Sequence, residues 1–184
     1  TRYRATFTAT DGVETAGQVL VKATSYTDAA GNLGEAGWDT VTIDTLNPTV
    51  TVAIVDAALN DSDNVSNVTF TFSETPTGFT LDDITVVGGT LSAFSGSGTS
   101  YSATFTATDN VEMTGSLSVA AGSYTDAAGN PGAAGSDTVA IDTKNPTVSV
   151  NIVDASLNDT DNVSNVTFTF SESTANFVLG DLTV

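Results

Sequence analysis

The chain contains no cysteine and no histidine, and only four lysines and arginines stand against 22 aspartates and glutamates. Without cysteine no disulfide can brace the fold, and no thiolate can hold a soft metal. Without histidine the commonest general base and zinc ligand is missing. The scarcity of lysine removes most of the remaining nucleophiles. Residues 46–143 hold 11 acids and no basic residue at all. A formal net charge of −18 repels polyanions, which excludes nucleic acid and anionic membrane surfaces as partners. No apolar run is long enough to span a bilayer, so no membrane insertion is expected. No stretch shows the 3.6-residue period of an amphipathic helix.

What the chain does have is a copy of itself. At an offset of 98 residues, 1–46 matches 99–144 at 31 of 46 positions, and 47–86 matches 145–184 at 29 of 40. Asn47-Pro48-Thr49 returns as Asn145-Pro146-Thr147, Asp28 as Asp126, and Asp44 as Asp142. A repeat of this length describes an array of whole domains rather than a solenoid of small units. One complete unit occupies 46–143. Residues 1–45 are the back half of a preceding unit, and 144–184 the front half of a following one.

Alternation of apolar and small polar residues assigns short strands throughout. Seven are expected in the complete unit, lettered A to G in chain order: 48–55, 67–73, 79–87, 90–95, 101–107, 115–124 and 137–143. Val68, Phe70 and Phe72 line one face of the second, with Thr69 and Thr71 opposite. Seven short strands in about a hundred residues predict an all-β, two-sheet sandwich of immunoglobulin type. The back half supplies strands E to G and the front half A to C. Arg2 and Arg4 replace the serines of the later copy on a solvent face, and Trp38, placed in the loop before strand G, stands where the next copy has Ser136.

The segments NPTVTVAIVDAALNDSDNVSNVTFTFSE (47–74), GFTLDDITVVGGTLS (78–92), SYSATFTATDN (100–110) and SYTDAAGNPG (123–132) resemble the bacterial Ig-like repeats of giant secreted adhesins and biofilm proteins. The resemblance covers the whole chain. It implies an extracellular, cell-surface stalk or matrix fibre, often made rigid by calcium.

The placement of the acids supports the calcium independently. In a seven-strand sandwich the AB, CD and EF loops share one end with the C-terminus, and the BC, DE and FG loops share the other. Asp56, Asp61, Asp63 and Asn64 fall in AB, Asp109 and Glu112 in EF, and Asp142 at the exit of strand G beside the linker residue Asn145. Glu74 falls in BC, and Asp126 and Asn130 in FG, at the opposite end. End-to-end stacking brings both sets together at every junction, as carboxylate and amide oxygens suited to a hard cation such as Ca²⁺. Each of these residues is also an ordinary turn former, and Asp126-Ala-Ala-Gly129-Asn130 reads equally as a plain turn with glycine at positive φ.

No catalytic constellation emerges, and the chain is read as not an enzyme. Asp82 and Asp83 are the one adjacent acid pair, neighbours on a strand point to opposite faces, and the counterpart of Asp82 is Gly180. A lysine–asparagine crosslink is excluded from the complete unit, which has no lysine. The Thr-x-Thr pattern follows from alternation with buried phenylalanine. The expected partners are neighbouring Ig-like repeats. The half units at the two ends are consistent with an excerpt of a longer array, or with halves that complement each other head to tail between molecules into a filament. The expected role is a calcium-stiffened structural segment of an adhesin, fibre or biofilm matrix. An adhesive module contacting glycan or host protein is the alternative.

Overall fold

The computed structural model describes residues 1–183. The first half repeat contributes β1 (Glu14–Val21) and β2 (Gly37–Asp44), paired antiparallel. The central repeat contributes β3 (Val50–Ile54), β4 (Ala58–Asn60), β5 (Val65–Phe72), β6 (Ile84–Val87), β7 (Gly89–Ser97), β8 (Ser100–Ala107), β9 (Glu112–Val119) and β10 (Gly135–Asp142). The last half repeat contributes β11 (Val148–Ile152) and β12 (Val166–Phe170), again antiparallel.

Period-2 patterning decides which side of each strand is buried. In β5 the side chains of Ser66, Val68, Phe70 and Phe72 are buried, while Val65, Asn67, Thr69 and Thr71 face water. The central strands form two four-stranded sheets, in the orders β3-β5-β8-β7 and β4-β10-β9-β6. Their inner faces close one core around Val68, Phe70, Phe105, Leu117, Val119 and Val139. At one end of this core the rings of Phe72, Phe79 and Tyr124 meet edge to face, at 4.8 Å for Phe72–Phe79 and 5.0 Å for Phe72–Tyr124. Edge-to-face contacts add to area burial because each ring offers a positive edge to a negative face. This is the immunoglobulin-type sandwich the alternation predicts.

The central repeat has eight strands where seven were expected. The additional one, β4, lies within the AB segment and pairs in parallel with β10. Leu59 is its only buried residue and anchors it to the core. Three residues between turn formers are too short for alternation to register. The strand expected over 79–87 is shorter, because residues 81–83 form a 3-10 turn. Thr80 donates to the Asp83 carboxylate there through its backbone N–H at 2.7 Å and its hydroxyl at 3.1 Å. Glu112 lies on β9 rather than in a loop, opposite Asp142. Trp38 likewise lies on β2, opposite Leu20, and both are exposed.

The chain enters the central repeat through Pro48, which is fully buried. Its carbonyl accepts from the Ala133 N–H at 2.8 Å and from the Tyr124 hydroxyl at 3.3 Å. The same hydroxyl proton is shared with the Ala133 carbonyl, the nearer acceptor at 3.0 Å. The ring can reach these partners because Gly132 lies against it, where any Cβ would overlap the aromatic carbons. Among the described residues, no helix is long and apolar enough to cross a membrane.

Tyr124→Phe is therefore expected to cost about 1 kcal/mol, the net worth of a hydrogen bond whose acceptors stay buried. Gly132→Ala, which forces the ring out of its seat, is expected to cost roughly 1–3 kcal/mol. Urea unfolding measures both. Equal, near-zero effects would show that the Tyr124 seat is not structural.

Candidate metal centre at the repeat junction

Each repeat leaves its last strand through an Asp-Thr pair, and the threonine fixes where the aspartate stands. The Thr45 hydroxyl donates to the Thr10 carbonyl at 2.8 Å and accepts from the Val13 N–H at 3.1 Å, while the Thr45 N–H donates to Val13 at 2.8 Å. Thr143 repeats this pattern with Thr108 and Val111 at the same distances. The strand exit is thus tied to the EF loop of its own repeat. Three residues further on, Pro48 is tied to the FG segment of the next repeat, and the Thr49 N–H donates to Ser73 Oγ at 2.9 Å. Little free chain remains between the two ties.

On the receiving side, the FG loop is built around Asp126. The Asn130 N–H donates to Asp126 Oδ1 at 2.8 Å and its side-chain amide to Oδ2 at 2.7 Å, with Gly129 at φ +92° completing the turn. The Asp28–Asn32 loop of the first half repeat has the same two bonds, at 2.9 and 2.7 Å. The loop forms identically in both copies, so the turn is a local property of the sequence. It also holds the aspartate ready at the pole of the domain.

At the junction the two sides meet. The Asn130 amide nitrogen lies 3.2 Å from both the backbone carbonyl and the carboxylate of Asp44. Carboxylate oxygens of Asp44, Glu74 and Asp126 all lie within 4.8 Å of one another. Asp126 is buried, and Asp44 and Glu74 are half-buried. Glu14, the cross-strand partner of Asp44, is a fourth acid close enough for Glu74 to feel its charge. Like charges opposite each other on a ladder destabilise it.

The electrostatics of the two loop acids differ in sign. Burial pushes the Glu74 carboxyl above its ordinary value of 4.5, and the negative charges of Asp126, Asp44 and Glu14 push it further. Burial also acts to raise Asp126. Hydrogen bonds from the Asn130 side chain and from the backbone of Asn130, Gly129 and Ala128 outweigh it and hold the group below 3.8. Asp126 is thus a buried anion satisfied by hydrogen bonds, whereas Glu74 is an anion disfavoured by burial and by its acidic neighbours. A divalent cation fits the donor set: all the donors are oxygens, and two ligand oxygens about 2.4 Å from one Ca²⁺ stand at most ~4.8 Å apart.

The residues expected as ligands divide into groups. Glu74 and Asp126 converge with Asp44, which corresponds to Asp142 through the 98-residue offset. Asn130 joins them through its amide nitrogen rather than its oxygen. Asp142 and Glu112 are cross-strand partners at the far pole and occupy the positions that Asp44 and Glu14 hold in the preceding copy. With Glu172, the counterpart of Glu74, they mark a second junction, where Asn145 lies exposed in the linker. The AB acids lie at the far pole, where Asn60 of β4 stands opposite Asp142 of β10, and so fall with the second junction rather than with this cluster. Asp61 and Asp63 are exposed in a turn organised by Asn60 Oδ1, which accepts from the N–H groups of Ser62 and Asp63. The Asp56 N–H donates to Ser66 Oγ, the Asn64 carbonyl accepts from Ala107, and Asp109 is exposed. Among the described residues, no other three acids converge as Asp44, Glu74 and Asp126 do.

A family model described as bacterial Ig-like domain matches residues 44–141 and again 142–184. No curated protein and no solved structure matches the chain.

The raised Glu74 pKa sets a pH dependence with a definite sign. Protonated Glu74 contributes stability that is complete below 4.5 and is lost as pH rises through its higher folded value. Asp126 works the other way: its contribution is present above 3.8 and is lost only as pH falls through its lowered value. With divalent cations chelated, stability at the junction should therefore fall as pH rises above 4.5. Glu74→Gln should flatten that fall. Thermal unfolding across this window checks it, and an unchanged slope in the variant would refute the assignment to Glu74.

Proposed function

Because the chain belongs to the bacterial Ig-like domain family, we propose that it is a non-catalytic structural segment of an extracellular, cell-surface adhesin or matrix fibre, in which calcium at each junction turns a string of sandwiches into a rod. The observation that carries this reading is the convergence of Asp44 from one repeat with Glu74 and Asp126 from the next. Family membership supports a structural or adhesive surface module; the acid cluster supports the cation.

Asp44, Glu74 and Asp126 would hold the ion, with the Asp44–Asn130 bonds setting the approach of the two repeats. Bound there, Ca²⁺ would supply the positive charge that these three carboxylates lack. The chain's own residues do the rest. Thr45 fixes the exit of β2, Pro48 fixes the entry of β3, and the Asp126–Asn130 loop presents a preformed anion. A cation that binds the docked junction and not the open one stabilises it by RT ln(1 + [L]/Kd), about 2.7 kcal/mol at a hundredfold excess over Kd.

A direct adhesive role, in glycan or protein contact, draws its support from Trp38. It sits exposed beside Leu20 where the next copy has Ser136 and Ser118, and spacers are expected to repeat their surfaces. The high identity between copies elsewhere favours the spacer.

Calcium titration calorimetry of the whole chain tests the main reading. Binding to the native chain, with loss of roughly tenfold or more in affinity on Asp126→Asn or Glu74→Gln, is expected for a site that needs each carboxylate. Heatless titration, or binding indifferent to both substitutions, would refute it.

A further inference from the structure

The segment that opens the central repeat and the strand that closes it run side by side in the same direction. The Pro48 carbonyl accepts from the Ala133 N–H, and the Val50 carbonyl lies so close to Gly135 that a Cβ there would overlap it. Further along, the Ile54 N–H donates to the Asp137 carboxylate, and the Ala57 carbonyl accepts from the Ala140 N–H at 3.2 Å. Then β4 pairs with β10 in parallel, from Ala58–Ala140 to Asn60–Asp142.

Asp137 is the unusual tie in this seam. β3 belongs to the sheet of β5 and β4 to the sheet of β10, so the backbone changes sheets between them. At that gap the half-buried Asp137 carboxylate takes the place of a ladder carbonyl. Its Oδ2 accepts from the Ile54 N–H and its Oδ1 from the Thr138 N–H, both at 2.8 Å. Hydrogen bonds to a carboxylate are shorter and stronger than neutral ones. This acid takes no part in the junction cluster.

The chain enters the repeat at the pole of Asp126 and leaves it at the pole of Asp142. Tension from neighbouring repeats therefore draws β3 toward one pole and β10 toward the other. Because the two run parallel, the pull acts along the seam and loads all its ties together. An antiparallel pair pulled from adjacent ends opens one bond at a time. We propose that the seam between 48–60 and 133–142 is the element of the repeat that resists tension, with Asp137 as its central tie.

The core opposes sliding as well. Val50, Val52, Ile54 and Leu59 on one side of the seam and Val139 and Ile141 on the other are buried. The next register that keeps such side chains inward lies two residues along, roughly 6.6 Å. Every tie must break before any can re-form. That the repeats carry tension rests on the fibre role proposed above; that the seam resists it rests on topology alone.

The test pulls single molecules of the whole chain in two directions, through cysteine handles in a chain that has no native cysteine. Leu46→Cys with Lys144→Cys, one in each linker, pulls along the axis of the array. Leu46→Cys with Thr71→Cys peels β3 from β5, because Thr71 stands opposite Thr51 near the adjacent ends of that pair. Several bonds loaded together against one predict an axial rupture force at least roughly twice the peeling force at equal loading rate. Asp137→Ala should speed axial rupture at fixed force by about tenfold or more, the worth of a hydrogen bond to a charged group. It should leave the onset of peeling unchanged, and Asp137→Asn, which keeps one acceptor oxygen, should fall between. Equal forces in the two directions, or an equal loss in both on Asp137→Ala, would overturn the proposal. The comparison of directions needs no change at Asp137, so it decides the matter even if that variant does not fold. Calcium titration does not probe this seam, so failure of the fibre reading there is distinct from failure here.

Discussion

Pro48 has no N–H to give to a ladder, yet its carbonyl is buried and bonded from two directions, by the Ala133 amide and the Tyr124 hydroxyl. Those donors belong to the same segment that carries Asp126 and Asn130. The bond that closes the core of one repeat therefore also places its acid-bearing loop beside the incoming chain. Threonine at the other end of the linker does the corresponding task for Asp44. Between these ties the linker has few free dihedrals, and proline removes another. Folding within a repeat and docking between repeats are thus one hydrogen-bonded system, and anything that loosens Tyr124 loosens both.

Against that ordering acts the charge. The central repeat has no basic residue, so its acids find no intramolecular counter-ion within it, and those at the pole gather instead of dispersing. Asp126 is relieved by hydrogen bonds and Glu74 is not. This asymmetry separates the cluster from an ordinary solvated acidic surface, where each carboxylate would be free to turn toward water.

Much of this was legible in the residues because the physical signals are strong. Alternation of valine and phenylalanine with threonine marks β3, β5, β8 and β10, and the 98-residue offset marks the repeat. The offset also carries Asp142 to Asp44, and hence to the junction. What alternation could not mark was β4, held by Leu59 alone, or the 3-10 turn at 81–83, where a side-chain cap replaces a ladder. Nor does composition distinguish the acids of the AB turn from those of the FG loop. Both are Asp/Asn-rich, and only the three-dimensional structure shows Asp61 and Asp63 organised around Asn60 at the pole of Asp142, and Asp126 at the opposite pole facing Asp44. The tie made by Tyr124 was hidden because a buried tyrosine looks like any other core aromatic until its hydroxyl has partners.

Whether a cation locks the segment between Thr45 and Thr49 decides whether the repeats form a rod. Spin labels at Thr40→Cys on β2 and Thr71→Cys on β5 span that segment, and no other cysteine interferes. Their distance distribution, measured by pulsed electron resonance with calcium and with chelator, reads the joint directly. A single narrow distribution in calcium that broadens on chelation is the predicted result. Distributions of equal width in the two solutions would contradict the account.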